Sequence, residues 1–170
     1  MPVLVAMLMC LIALPMCGKD ASFPVTVASN LNGEKLTFPG GLKGDFNLLI
    51  VAFRREQQSD IDTWLKLLPS IASEHPKLAY YEVPVIDRLN PMVRWFIDNG
   101  MRRGIPDKAQ RARTVTFYLD KTAFKTALGI ASEDRIQLLL IDRAGKVLWR
   151  VEGPFTEESK VSLLRALPGA

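Results

Sequence analysis

The chain has 170 residues, of which 48% are hydrophobic and 24% charged, with a net charge of +4. These values exclude wholesale disorder and fit one domain with a real apolar core. The mild positive charge admits anionic lipid, an acidic protein or nucleic acid as contacts and selects none of them.

Val3–Met16 is almost unbroken apolar sequence, followed by the first charges at Lys19 and Asp20. A spanning helix needs about 20 apolar residues, so this shorter run reads as the apolar region of an export signal. No Lys or Arg precedes it, and no small-x-small cleavage site follows. Leu14-Pro15-Met16-Cys17 has the form of a bacterial lipobox, with Met16 where a small residue is usual; Cys17 is the candidate lipidation site. Residues 1–20 are therefore read as a signal peptide or lipoprotein-type leader, with a retained anchor as the alternative. Residues 23–170 form the domain. The two cysteines, Cys10 and Cys17, both lie in the leader, so the domain is expected to fold without an internal disulfide.

Phe23–Phe38 reads as a hairpin, with VTVA alternation, a turn at Asn30-Leu31-Asn32-Gly33 and a return strand Lys35–Phe38. Leu48–Phe53 is apolar on both faces, as in a central strand covered by helices. Ser59 or Asp60 is expected to cap a helix whose stripe is Ile61, Trp64, Leu65, Leu68, Ile71 and Ala72, kinked at Pro69 and ended by Pro76. Leu78–Ile86 is a strand. Asn90 and Pro91 open a short helix that should stop at Gly100 and bury Val93, Phe96 and Ile97, with Trp95 also in the core.

Met101–Arg113 shows no apolar periodicity and is read as a basic loop. Thr114–Leu119 is β. Thr122 should cap Ala123–Leu128, closed by Gly129. Gln137–Asp142 and Val147–Glu152 make a hairpin around Arg143–Lys146, with Val147, Trp149 and Val151 sharing one face. Thr156 caps a last helix with an inner stripe of Val161, Leu164 and Leu167. Alternating βαβ units call for a mostly parallel sheet with helices on both faces, to which the final hairpin and helix add an antiparallel edge.

Asn32–Leu36, Leu42-Lys43-Gly44 with Leu48–Val51, and Leu138–Asp142 with Gly145-Lys146-Val147 resemble the opening and closing segments of extracytoplasmic thioredoxin-like and peroxiredoxin-like proteins. The resemblance implies a thioredoxin-like three-layer α/β/α sandwich, with a mixed central sheet and an N-terminal β-hairpin. Arg103–Pro106, Ala127–Ile130 and Leu138–Asp142 with Gly145–Trp149 are also similar to the Atp10-type mitochondrial ATP-synthase assembly factors. In redox relatives the junction after the central strand would carry Cys-x-x-Cys, and a cis-proline would precede the strand at Leu138. Here Arg54-Arg55-Glu56-Gln57-Gln58 and Arg135-Ile136 stand in those places. Thiol–disulfide exchange and peroxide reduction both begin with a thiolate, so neither is expected of the domain.

His75, the only histidine, sits at a helix end and is read as structural; no metal site, cofactor or catalytic residue is assigned. Arg54, Arg55 and Glu56 lie at the carboxyl end of a central strand, where ligands gather in open α/β sheets. Arg102, Arg103, Arg111 and Arg113 are the candidates within the basic loop, for an acidic partner or anionic lipid. Nucleic acid is not expected, since no aromatic stacking motif is interleaved with the charge.

The expectation is a non-redox binding or assembly protein, chaperone-like, in the bacterial periplasm or tethered to a membrane, with the mitochondrion as the alternative location. The partner is expected to be a protein, with a membrane complex such as ATP synthase indicated by the second resemblance. The leader or the basic loop would supply membrane association. The alternative from another class is an enzyme using the same cleft without thiols, with Arg54 and Arg55 clamping an anion and Glu56 as acid or base. A passive stalk domain is the third.

Overall fold

The computed structural model describes residues 21–168; the predicted leader, with Cys10 and Cys17, lies outside them. The VTVA alternation becomes strand β1 (Thr26–Ser29), which pairs antiparallel with β2 (Lys35–Phe38) in a separate two-stranded sheet. The run FNLLIVA becomes β3 (Phe46–Ala52), buried along nearly its whole length. Its entry is tight: a Cβ on Gly44 would fall 2.7 Å from the Ala79 backbone nitrogen, so only glycine fits there.

A 3-10 turn, Arg55–Gln57, leads into α1 (Gln58–Leu65), and α2 (Leu68–Glu74) follows. The helix therefore starts ahead of the expected Ser59 or Asp60 cap. At Pro69 it breaks instead of kinking. The pyrrolidine sits in the first turn of α2, where its missing N–H costs nothing, and Lys66-Leu67 separate the two segments.

Strand β4 (Leu78–Asp87) runs parallel to β3. Helix α3 spans Pro91–Gly104, capped by the Asn90 side chain accepting from the Val93 N–H. It passes through Gly100, where it was expected to stop, and places Arg102 and Arg103 against its negative end. Asp107 then caps α4 (Lys108–Arg113), so the expected basic loop is helical over most of its length. Its apolar pattern is missing because neither helix buries a residue.

Strand β5 (Phe117–Leu119) joins β4 in parallel. Asp120, not Thr122, caps α5 (Lys121–Leu128), which closes on Gly129 in the left-handed region, φ +63°. Strands β6 (Gln137–Asp142) and β7 (Val147–Glu152) form the closing hairpin, and Thr156 caps α6 (Glu157–Ala166) as expected.

The main sheet has the order β5-β4-β3-β6-β7, with β6 antiparallel to β3 and β7 antiparallel to β6. One face is covered by the β1–β2 hairpin, Phe23 and α5, through Phe38, Val51, Phe117, Phe124 and Leu139. The other is covered by α1, α2 and α6, through Leu48, Ile50, Trp64, Leu138 and Leu163. This is the expected three-layer mixed sandwich with a hairpin in front.

Three details of the expected core differ. A register shift at Leu140/Ile141 sends Val147 to the hairpin side and Trp149 and Val151 to the helical side. In α6, Leu163 and Leu167 are buried while Val161 faces solvent. Trp95 and Phe96, expected in the core, are 59% and 64% exposed.

Candidate functional site

The carboxyl end of β3 places Arg54, Arg55 and Glu56 together on the surface, all exposed. Arg54 forms an ion pair with Asp134 at 3.0 Å, exposed on both sides. The residue that organises this turn is Gln57, which is buried. Its Oε1 accepts from the backbone N–H of Phe53 (2.9 Å) and Arg54 (3.2 Å), while its Nε2 donates to the Glu133 carbonyl at 2.7 Å. One amide thereby ties the end of β3 to the segment before β6. The Glu133 carboxylate accepts from Lys121 and Lys125 of α5, at 2.8 and 2.7 Å, and these bonds hold it below the usual carboxylate range. The turn is thus braced by neutral and ionic hydrogen bonds, and it presents two arginines and a carboxylate and no thiol.

The four basic candidates of the α3–α4 segment divide into two kinds. Arg102 donates to the Leu31 carbonyl (2.8 Å) and to Asn99 Oδ1 (3.1 Å). Arg111 donates to Asn32 Oδ1 (3.1 Å) and to the Ile105 and Pro106 carbonyls (3.0 and 3.1 Å). Both side chains fasten the α3–α4 segment to the hairpin turn at residues 30–33, assisted by Asn30 and Asn32 donating to the Ala112 and Lys108 carbonyls. Arg113 lies over the Tyr80 ring, 4.7 Å from its centroid. Arg103 alone of the four projects from the end of α3 without an assigned contact. Arg102, Arg103 and Arg113 are all exposed and Arg111 is partly buried; within the four, two side chains fasten the segment to the hairpin turn and one stacks on a ring.

Helix α3 is turned away from the amphipathic expectation: of the expected stripe only Ile97 is half-buried, while Val93 and Phe96 are exposed. Its polar stripe faces the body: the Tyr118 hydroxyl donates to Asp98 at 2.8 Å, and Arg94 donates to the Leu89 carbonyl while lying over the Tyr118 ring. Burial and the Asp98 hydrogen bond push the Tyr118 hydroxyl well above its usual pKa. Its apolar stripe faces out. Met92 is 71% exposed, and the Trp95 and Phe96 rings pack edge to face at 5.1 Å in solvent, beside Val93. Apolar periodicity identified the stripe, but nothing in the periodicity said which stripe the β5 edge would take.

A second feature lies away from these residues. A cleft of about 880 Å³ opens between α2 and β4 on one side and α4 and the hairpin on the other, with Leu36, Leu65, Ala72, Tyr80, Glu82 and Arg113 in its walls. Glu82 is only 5% exposed, and its Oε2 has no hydrogen-bond partner. Burial, followed by the negative charge of Asp62, raises its pKa from 4.5 to about 7. The signal was present in the sequence: an acid in the middle of the strand LAYYEVPVID, whose other acid, Asp87, stands at its exposed end.

No family model matches the sequence, and no curated protein matches it. Solved structures do. The chain is similar to a thiol-disulfide oxidoreductase from Bacteroides fragilis (TM-score 0.58, 16% identity, 86% of this chain and 99% of that one). It is also similar to the exposed lipoprotein thioredoxin of Streptococcus pneumoniae (TM-score 0.53, 16% identity, 85% and 100%).

The fold is thioredoxin-like.

A third similar structure, the thioredoxin domain of a thiol-disulfide oxidoreductase from Bacteroides vulgatus, agrees (TM-score 0.53, 15% identity, 86% and 94%). At these identities the likeness is one of fold. On the thioredoxin-like scaffold of this chain, the turn that follows β3 holds Gln57 as its organising side chain and no cysteine. Among the described residues, no helix is long and apolar enough to cross a membrane.

Proposed function

We propose that this thioredoxin-like domain is a non-redox binding protein that acts in the assembly of a membrane or envelope complex and docks on a protein partner through the outer face of α3. The observation that carries the reading is the inverted α3: Met92, Val93, Trp95 and Phe96 stand in solvent while the polar stripe of the same helix packs on the body. Large apolar side chains in water are unfavourable, by roughly 1.5–3 kcal/mol for each one left unburied. A contiguous patch of them marks an interaction surface. Met, Trp, Phe and Arg are also the residue types enriched in protein interfaces, and Arg88 and Arg103 stand exposed on the flanking sequence.

The turn at Arg54–Gln57 supports the non-redox part of the reading, because thiol exchange requires a thiolate and residues 21–168 contain none. The resemblance of the β6–β7 hairpin to the Atp10-type assembly factors supports an assembly role. The export-type leader supports an extracytoplasmic location.

The test is a Trp95→Glu/Phe96→Glu variant of the full chain, expressed in its own host. Because both side chains are exposed, the melting temperature should stay within about 2 °C of wild type. Recovery of the domain in a high-molecular-weight complex from solubilised membranes should fall at least about tenfold. Unchanged recovery with an intact fold would refute docking through α3.

A further inference from the structure

The 880 Å³ cleft falls within the size range of small-molecule sites, about 300–1,000 Å³. Its acids differ in how they are engaged. The Glu34 carboxylate accepts from Asn30 Nδ2 at 2.8 Å. Asp107 accepts from the Ala109 and Gln110 N–H groups at the start of α4. Glu82 differs from both: Thr114 hydrogen-bonds its carboxyl group, but its Oε2 is out of water and accepts nothing. A buried carboxylate with an unmet lone pair is costly unless a donor or a cation meets it. Arg113, a cation in the same walls, lies on the Tyr80 ring. Asp62 on α1 adds further negative potential. Leu36 on the hairpin and Leu65, Pro69 and Ala72 on α1 and α2 supply apolar wall, while Asn30, Lys43, Ser73, Gln110 and Thr114 add polar groups.

We propose that this cleft binds an organic amine, a primary ammonium on an apolar body, with Glu82 as its counter-ion. The Glu82 carboxyl turns into the cleft it lines and takes the ammonium as the donor that Oε2 lacks, while the apolar body lies against Leu36, Leu65 and Ala72. The site is separate from the outer face of α3 and goes beyond the docking reading. The carboxyl group must be ionised to bind the cation, so affinity rises with pH through the range near 7 in which Glu82 releases its proton. The other charged and titratable groups lining the cleft are Glu34, Asp107, Lys43, Arg113, Tyr80 and Tyr81, with Asp62 acting on Glu82 through its charge, and all of them remain when Glu82 alone is changed to Gln.

The experiment is a titration of isotopically labelled full chain with phenethylamine, followed by amide chemical shifts, with 3-phenylpropionate as the anionic control. Phenethylamine should move the amides of Ala72, Glu82 and Arg113 and bind more tightly at pH 8.5 than at pH 6. Glu82→Gln should weaken it at least about tenfold and flatten the pH dependence, the scale expected for losing a charged partner. The propionate should bind at least about tenfold more weakly than the amine. Ala72→Trp, which fills the cleft from α2 without touching the carboxyl, should also abolish binding.

The proposal is overturned if wild type shows no shifts at these amides. Equal affinity in a well-dispersed Glu82→Gln spectrum would overturn it too, as would a propionate that binds as tightly as the amine. If neither variant folds, the shift map, pH profile and anion control on wild type still decide.

Discussion

Glu82→Gln makes a stability prediction whose sign depends on pH. In the folded protein, burial first and the Asp62 charge second raise the Glu82 pKa from 4.5 to about 7. Between those two values the native state holds a proton that the unfolded chain has released. Stability therefore falls as pH rises from about 4.5 to about 7 and stays lower above that. A displacement of that size corresponds to about 3 kcal/mol, lost in wild type and absent in the variant, because glutamine has the shape of the protonated acid and cannot ionise. Urea denaturation of both proteins at pH 4 and pH 8 isolates the effect, since every other titrating group is common to the pair. The two should be close in stability at pH 4, and the variant should lead by about 3 kcal/mol at pH 8. A difference that is the same at both pH values, or that favours wild type as pH rises, would refute the reasoning.

Gln57→Ala removes the partners of three backbone groups at once, the Phe53 and Arg54 N–H and the Glu133 carbonyl. It should cost about 1–3 kcal/mol by chemical denaturation, whereas Arg55→Ala in the same turn should cost less than about 0.5 kcal/mol. Arg111→Ala should speed amide exchange across residues 105–114 far more than in β3 or β6, because it releases α4 from the hairpin turn. Arg103→Ala should leave that exchange unchanged; equal effects of the two arginines would contradict their assignment as fastener and free charge.

The layers of the fold were legible because they follow from burial on both sides of a sheet. The run at Leu48–Phe53 could only be a central strand, and the βαβ order with a closing hairpin left few topologies. The α3–α4 segment was not legible for two physical reasons. Its helices are held by polar fasteners, Asn30, Asn32, Arg102 and Arg111, which carry no periodic signal. The stripe of α3 that meets the body is Arg94, Ile97, Asp98 and Met101, so the rule that apolar faces point inward held for Ile97 and failed for Val93, Trp95 and Phe96.

At the candidate site, the chain position of Arg54–Glu56 was readable from the end of β3. The role of Gln57 was not, because its partner Glu133 lies 76 residues away in sequence. Glu82 was readable in principle, as an acid in a strand apolar on both faces. The cleft beside it depends on how α2 and α4 come together, which the local pattern does not encode.

The central claim, that the molecule acts by holding a partner on the outer face of α3, is tested most directly by a photo-crosslinking residue at position 96 of the full chain in living cells. A control at position 66, exposed between α1 and α2, sets the background. The account predicts one discrete protein adduct from position 96 and none from position 66. Diffuse or identical labelling from both positions would contradict it.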